Sequence, residues 1–441
     1  MHSSKIPAFS GRGFFWEIFV CATLCYKEDI MKDETKVFET LDTLGDAMME
    51  SLRNICSIPA ISPDGGGTGE NRKARAIEEM VQDLGFPKPR RYDAEDSRVE
   101  GGLRPNLVLQ VPGAGKERLW FVSHMDVVPE GDRSLWKTDP FEPVIQEDRI
   151  IGRGVNDNGQ ELVASLYALY ALRQEGIEPS REICLCFVAD EEVGSRYGIQ
   201  HLLEEGLFRK EDLVLVPDGG SEEGDFVEVA EKSILWLQIT VEGEQAHASR
   251  PDEGNNACRE ANILAVTLDE ALHKAFPERN ELFAPACSTF EPTKRGANVG
   301  NVNTIPGKEV FCFDCRVLPE APLDEVLRVV DEVLESRRHI SGCAITREIL
   351  QRDDAAPGTD PEAPVVTLLG EAIRKVFSRK PRVGGIGGGT CAAYFRHGGI
   401  PAAVWGQEAN CAHQPNEYAL KEHLLNEAKV FALMMCAPSE K

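Results

Sequence analysis

Residues 118–129 read RLWFVSHMDVVP, an apolar run that ends in a histidine and an aspartate two positions apart. Comparable runs read NLVLQV at 106–111, REICLCFVA at 181–189 and LVLVP at 213–217, with helix-like segments between several of them. Continuously apolar strands that alternate with helices indicate a parallel sheet, because crossover helices cover both of its faces. The sequence therefore predicts an α/β fold with a mainly parallel sheet and helices on both faces.

The pattern changes near residue 231. The stretch SILWLQITVEG at 233–243 alternates between apolar and polar residues like a half-exposed strand. The following helix- and strand-like segments form a β-α-β-β-α-β-like set, which indicates an antiparallel α+β (ferredoxin-like) module. From residue 361 the earlier pattern resumes. We therefore expect one α/β domain over 31–230 and 353–441, interrupted by an inserted module over 231–352.

The chain of 441 residues has 48 Lys+Arg and 73 Asp+Glu, which gives a net charge of −25. Phosphate backbones and anionic lipid surfaces repel such a chain, so we expect no nucleic-acid or membrane partner. The thirteen cysteines are too dispersed for a disulfide scaffold, and the single CxxC lacks the second one that a zinc ribbon needs. We expect free thiols in the reducing cytoplasm.

The N-terminal segment GFFWEIFVCATLCY at 13–26 is apolar, but Glu17 interrupts it. It is also shorter than the ~20 residues that span a bilayer. A polar, helix-forming segment begins at Met31. We expect residues 1–30 to be a disordered or misassigned extension.

Five segments place acidic residues or histidine at strand ends or in glycine-rich turns, where an open α/β sheet binds its ligands. One such residue by itself is usually a cap or turn residue, but five coincidences at one sheet edge favour a common site. Imidazoles and carboxylates together suit a divalent metal, and two metals ~3.5–4 Å apart need a shared carboxylate. The candidates are His124, Asp126, Asp157, Asp190, Glu191, Glu192, Asp218 and His413.

Two local spacings suggest separate roles. Glu191 and Glu192 are adjacent, and on extended backbone they point in opposite directions, so one can hold metal while the other acts as a general base. His124 and Asp126 are two residues apart on a strand and share a face. Asp126 can therefore orient the His124 imidazole without itself binding metal.

Five motifs carry a resemblance to a known family, and they occur in family order: SHMDVVP (123–129), GRGVNDNG (152–159), ADEEVGS (189–195), PDGG (217–220) and AHQPNE (412–417). The set resembles the co-catalytic zinc amidohydrolase and peptidase family. That family includes aminoacylase, succinyl-diaminopimelate desuccinylase, acetylornithine deacetylase, glutamate carboxypeptidase and several dipeptidases. The resemblance covers nearly everything from about residue 35 to the C-terminus.

The resemblance implies a dinuclear metal centre with two Zn²⁺ per chain, with Co²⁺ or Mn²⁺ as alternatives. His124 and Asp218 would hold one ion, Glu192 and His413 the other, and Asp157 would bridge the two.

The resemblance also implies that Glu191 is the general base, which takes a proton from the attacking water and passes it to the leaving amine. A cis peptide is implied at Asp157–Asn158. The chain departs from many members at Asn158 and at Gln160, which follows Gly159. Neither position is an expected ligand, but the substrate preference stays open.

Two segments of the inserted module match as well. GEQAHASRPDEGNNA (243–257) resembles the lid and dimerisation segment, whose histidine often reaches the partner subunit's active site. By this likeness His247 would stabilise the oxyanion; a surface loop histidine is the alternative. NVNTIPGKEVFCFDCR (301–316) resembles the segment that grips the substrate carboxylate with Asn303 and Arg316. For Arg316 the alternative is a strand-end salt bridge.

The loop GGIGGGTCAAYF (384–395) opens a helix and by itself suggests phosphate binding. It lacks a Walker lysine and the Rossmann glycine spacing. The resemblance instead implies that Gly388 and Thr390 line the pocket for the substrate's carboxylate.

The expected function is a dinuclear metal-dependent hydrolase that cleaves an amide bond in a small, carboxylate-bearing substrate. An N-acyl amino acid deacylase, like the desuccinylase or the acetylornithine deacetylase, is favoured over a carboxypeptidase or dipeptidase. A catalytically silent metal-binding protein would be expected to lack a ligand or the base, and a nucleotide-binding protein remains a weaker alternative. We expect a homodimer formed through the lid module.

Overall fold

The computed structural model describes residues 13–438, with side chains described from Glu34 onward. The predicted extension over residues 1–30 thus lies wholly outside the residues whose side chains are described, and it stays a prediction. Within the described chain, no helix is both long and apolar enough to cross a bilayer.

The helices are α1 (Gly13–Cys56), α2 (Asn71–Asp83), α3 (Gln160–Gln174), α4 (Ile199–Glu204), α5 (Ala257–Ala275), α6 (Leu323–Ser341), α7 (Pro364–Phe377), α8 (Ala392–His397) and α9 (Lys421–Cys436). The strands are β1 (Arg90–Arg91), β2 (Ala94–Glu95), β3 (Leu103–Arg104), β4 (Leu107–Val111), β5 (Arg118–His124), β6 (Val144–Gln146), β7 (Arg149–Ile151), β8 (Glu182–Val188), β9 (Leu213–Val216), β10 (Phe226–Glu231), β11 (Ser233–Glu242), β12 (Ala246–His247), β13 (Thr289–Arg295), β14 (Thr304–Ile305), β15 (Lys308–Val317), β16 (Ala344–Asp353), β17 (Arg382–Ile386), β18 (Ala402–Val404) and β19 (Tyr418–Leu420).

The larger sheet has the strand order β1-β4-β8-β5-β9-β18-β10-β17. Strand β5 runs parallel to both of its neighbours, β8 and β9. All seven of its residues are buried, because helices cover both sides of the sheet. Phe121 packs on one side with Phe431 of α9, and the preceding Trp120 packs on the other side with the cluster that contains Phe395 of α8. This confirms the predicted α/β class with a mainly parallel sheet.

The smaller sheet has the order β13-β15-β11-β16, and all of its pairings are antiparallel. Helices α5 and α6 pack against one face, where they bury Leu235 and Leu237 of β11. The connectivity is β11-α5-β13-β15-α6-β16, which is the ferredoxin-like arrangement that the sequence predicts.

The chain passes from the larger sheet to the smaller one between Glu231 and Ser233, and it returns after Asp353. The two crossings touch, because the Ser233 hydroxyl accepts a hydrogen bond from the backbone N–H of Ala355 at 2.9 Å. The predicted domain limits stay a prediction. The roles of the module as lid and dimer contact stay predictions.

Candidate active site

Three strand ends bring most of the predicted residues to one edge of the larger sheet. His124 is the last residue of β5, and the Glu191–Val193 turn and Asp218 follow the ends of β8 and β9. These three strands are adjacent and parallel, so their carboxyl ends lie side by side. Asp190, with φ at 67°, turns the chain out of the sheet just before Glu191.

Asp157 lies between two imidazoles that come from distant parts of the chain. Its Oδ1 is 2.8 Å from His124 Nε2, and its Oδ2 is 3.0 Å from His413 Nε2. The peptide bond from Asp157 to Asn158 is cis, as the resemblance implies. Burial by itself would raise the pKa of Asp157, but the hydrogen bonds to the two imidazoles outweigh it and lower that pKa. A carboxylate with one oxygen towards each group has the placement expected of a bridging ligand.

One further carboxylate accompanies each imidazole. Asp218 Oδ1 is 3.6 Å from His124 Nε2, and Glu192 Oε2 is 3.1 Å from His413 Nε2. Hydrogen bonds that His413 donates to the carboxylates of Asp157 and Glu192 raise the pKa of His413 to about 10, and burial raises the pKa of Glu192 to about 7. Such crowding of carboxylates calls for compensating positive charge.

The donor atoms of this cluster are close enough to share metal ions. Ligand atoms of His124, Asp157 and Glu192 lie within 4.8 Å of one another, as do those of His124, Glu191 and Asp218. Two imidazoles with several carboxylates suit a borderline-hard divalent ion. The residues present therefore fit the implied metals. Glu191, predicted as the base, lies within the same cluster.

The backbone and the side chain of Asp126 make different contacts. The backbone oxygen of Asp126 lies 2.9 Å from His124 Nδ1, whereas its carboxylate is 3.7 Å from that atom. The carboxylate instead accepts the backbone N–H groups of Glu191 and Glu192, at 3.0 and 3.1 Å. Asp126 is fully buried and so fixes the turn that carries both glutamates.

Glu417 is a buried positioning residue that the sequence analysis did not single out. Its Oε1 accepts the backbone N–H groups of Asn156 and Asp157 at 3.0 and 3.2 Å, and its Oε2 accepts a hydrogen bond from Arg153 at 2.6 Å. Glu417 thereby holds the backbone that carries the Asp157 carboxylate. The sequence feature that could have identified Glu417 is its position as the last residue of the AHQPNE motif.

Arg104 is a second such residue. It is fully buried, forms an ion pair with Glu70, and lies 3.1 Å from a carboxylate oxygen of Asp190. It therefore anchors the residue from which the Glu191 turn departs. No local signal identifies it, because its partners lie 34 and 86 residues away in the sequence.

A cavity of about 1210 Å³ lies over this cluster. Its lining contains metal-ligand candidates together with Arg316, Gly388 and Thr390, so the structure brings these predicted substrate residues to the site. His247 and Asn303 are not among the described residues that line the cavity. The latter two lie together at the exposed two-stranded sheet of β12 and β14, where the Ala248 N–H donates to the Asn303 carbonyl at 2.8 Å.

Arg316 extends from the smaller sheet to the glycine-rich loop. Its Nη1 donates to the Gly387 carbonyl at 2.8 Å, while Nε and Nη2 donate to the Asp314 carboxylate at 2.6 and 3.0 Å. Thr390 is also engaged, because its N–H and hydroxyl both donate to Glu231 Oε1, at 3.1 and 2.8 Å. The buried Glu231 thus already occupies the Thr390 donors that were expected to bind a substrate carboxylate.

Comparison with known proteins identifies the family of this chain. Residues 120–437 match peptidase family M20/M25/M40. The chain belongs to the M20 peptidase family, and it is therefore a hydrolase that acts on amide or peptide bonds. Membership implies divalent metal ions. The resemblance stated from the motifs is thus confirmed.

Individual relatives cover most of the chain. An uncharacterized metallohydrolase of Methanocaldococcus jannaschii is 39% identical, over 86% of this chain and 96% of that protein. A succinyl-diaminopimelate desuccinylase of Sulfurovum sp. is 28% identical, over 87% and 97%. The M20 metallo-carboxypeptidase Sso-CP2 of Sulfolobus solfataricus superposes with a TM-score of 0.68 at 20% identity, over 88% and 98%, which supports the shared fold.

Proposed function

We propose that the protein is a dinuclear metal-dependent hydrolase that removes the acyl group from an N-acyl amino acid. The observation that carries the proposal is the placement of Asp157, with one carboxylate oxygen beside each of two histidine–carboxylate pairs. The same cavity holds Arg316, an arginine suited to a substrate carboxylate. The likeness to succinyl-diaminopimelate desuccinylases supports a deacylase.

Five residues would hold two divalent ions, with Zn²⁺ preferred and Co²⁺ or Mn²⁺ as alternatives: His124, Asp157, Glu192, Asp218 and His413. Ions bound there would supply Lewis acidity towards the scissile carbonyl and the attacking water. The Glu191 carboxylate takes a proton from that water and delivers it to the nitrogen of the leaving amino acid. The Asp126 carboxylate keeps Glu191 in place by accepting the backbone N–H of Glu191.

The substrate's carboxylate would bind at Arg316. The guanidinium can then donate to substrate in place of Asp314, while Nη1 stays at the Gly387 carbonyl. Gly388 and Thr390 would line the same end of the cavity. A substrate held this way touches both sheets, so its binding also fixes their relative position.

We also propose a cytoplasmic homodimer formed through the inserted module. His247 and Asn303 are exposed at the two-stranded sheet of β12 and β14 and lie apart from this chain's cavity lining. In a dimer this two-stranded sheet would reach the partner subunit's cavity, where His247 would stabilise the oxyanion.

A hydrolysis screen tests the proposal. Purified protein is supplied with Zn²⁺, Co²⁺ or Mn²⁺ and offered N-acetyl and N-succinyl amino acids, dipeptides, and the α-amides of each. We expect metal-dependent release of the free amino acid from N-acyl substrates with a free carboxylate. Hydrolysis of dipeptides alone would replace the deacylase by the second candidate, a dipeptidase or carboxypeptidase of the same family. Equal activity on acids and amides would contradict the carboxylate site.

A further inference from the structure

The face of the smaller sheet that turns away from α5 and α6 forms part of the cavity wall. Along β11, Leu235 and Leu237 are buried against the helices, so the alternate residues Ile234 and Trp236 point to the opposite face. Both line the cavity. Trp236 is 38% exposed, which is unusual for so large an apolar side chain.

A bulge in β16 adds a second large side chain to this wall. Trp236 pairs with Gln351 and Leu237 pairs with Ile349, so Leu350 is an extra residue between the two pairs. Bulges re-aim side chains and occur often beside active sites. Leu350 lines the cavity and is 48% exposed.

From the larger sheet, Val193 lines the same cavity and is 45% exposed. It directly follows Glu192, so it lies next to the metal-ligand cluster. We call Ile234, Trp236, Leu350 and Val193 the apolar wall. Exposed apolar side chains that gather in a cavity mark a surface that an apolar ligand group covers.

The sheet register places the apolar wall beside the expected carboxylate site. Arg316 of β15 pairs with Ile234, and Trp236 is two residues further along β11. Two residues of a strand span about 6–7 Å. A carboxylate bound at Arg316 and a side chain on the same α-carbon can therefore contact Arg316 and Trp236 together.

The charges around the cavity leave few cations for additional carboxylates. Among the described lysines and arginines that line it, Lys232 donates to the carbonyls of Pro285 and Cys287. Arg352 donates to Asp354 and Asp324. Arg316 is also paired, with Asp314, but it is the one of these three that donates to the glycine-rich loop, at Gly387, and one substrate carboxylate matches it.

We propose that the substrate is an N-acyl amino acid whose own side chain is apolar, such as leucine, methionine or phenylalanine, and carries no second carboxylate. This inference rests on the proposed deacylase function. Burial of the side chain against Trp236 and Leu350 supplies the selectivity, and the charge of the α-carboxylate is met by Arg316. Asp353 and Arg316 both pair with Ile234, from opposite sides of β11. Asp353 is the group that would instead favour a cationic side chain.

The test compares kcat/KM for one acyl group on different amino acids. The substrates are the N-acetyl derivatives of leucine, phenylalanine, alanine, glutamate and ornithine. We expect leucine and phenylalanine to exceed alanine by about 10- to 100-fold, the discrimination that an apolar pocket provides. Trp236→Ala should remove most of this preference, and Trp236→Phe should retain it.

The matched control is Ile340→Ala, which trims an exposed side chain of α6 that is absent from the described cavity lining. It should leave the preference unchanged. Leu350→Ala should reduce the preference as well, and unfolding curves verify that each variant is folded. A preference for the ornithine or glutamate derivative, or an unchanged preference in Trp236→Ala, would overturn this inference but leave the proposed function standing. No metal-dependent hydrolysis of any derivative would instead overturn the proposed function.

Discussion

The carboxylate of Asp126 accepts the backbone N–H of Glu191 at 3.0 Å, across 65 residues of sequence. The contact joins the end of one strand to the turn after its parallel neighbour, and it sets the place of the proposed base. Asp126 therefore acts on the reaction through Glu191 rather than on substrate.

Replacement of Asp126 tests this positioning role. Asp126→Asn keeps the volume but offers one acceptor oxygen for two N–H groups, so Glu191 should shift and kcat should fall by roughly 10²-fold, the cost of a small misplacement. Bound metal should change little. Asp132→Asn is the control, because Asp132 also accepts a turn N–H, at Ser134, but is exposed. Similar kinetics of the two variants would contradict the role.

The proposed base is tested by Glu191→Gln, which preserves size but cannot accept the proton. We expect kcat to fall by about 10²- to 10⁴-fold, as for the loss of a positioned acid–base group. Elemental analysis should find metal near the wild-type level. In contrast, Glu192→Gln should lose metal, because Glu192 contacts His413 and lies in the ligand cluster. Near-normal turnover of Glu191→Gln would assign the base elsewhere.

Metal removal should both inactivate and destabilise the protein. Several carboxylates surround His124, and their mutual repulsion is relieved by a bound cation. An ion that binds only the folded chain adds about 2.7 kcal/mol at a concentration 100 times its Kd. Calorimetry should show a lower Tm after chelation and recovery on adding Zn²⁺, and elemental analysis about two ions per chain. Active protein without bound transition metal would refute the centre.

Arg316→Ala should lower kcat/KM by an amount that corresponds to about 2–4 kcal/mol of activation free energy, because it leaves the substrate's charge unpaired. Metal content should not change. Amidation of the substrate's carboxylate should lower kcat/KM of the wild-type protein by a similar factor, but it should change kcat/KM of the variant little. Arg352→Ala serves as the control, because Arg352 also lines the cavity and is likewise paired with carboxylates, Asp354 and Asp324, but its described hydrogen bonds do not reach the glycine-rich loop. Equal losses in the two variants would argue against a specific carboxylate contact.

The buried thiols should be inert in the folded protein. Burial raises the pKa of Cys56 and Cys184 to about 12, so neither forms the reactive thiolate near pH 8. Cys258 and Cys287 are partly exposed and should react faster than the buried thiols. Alkylation followed by mass spectrometry separates the groups, with the denatured protein as reference. Rapid labelling of Cys56 in the folded protein would contradict this packing.

Much of the fold follows from patterns that are local in the sequence. The apolar run ending at His124 and the alternation of 233–243 each reflect a fixed side-chain period, so they identify the two kinds of sheet. Strand β13 is the exception. It contains Pro292 and mostly exposed residues, and it forms an edge strand that pairs only with β15 among the described strands. Its strand conformation depends on that neighbour more than on its own sequence.

The motifs likewise identified the ligand candidates, since residue type and the ends of strands are readable along the chain. Tertiary packing alone decided that Asp157 lies between His124 and His413, that Glu417 supports it, and that Leu350 enters the cavity through a bulge. It also decided that His247 lies apart from this chain's cavity lining. Short-range periodicity fixes the direction of a side chain on its own element, but distances between elements depend on how buried surfaces pack, which no local pattern encodes.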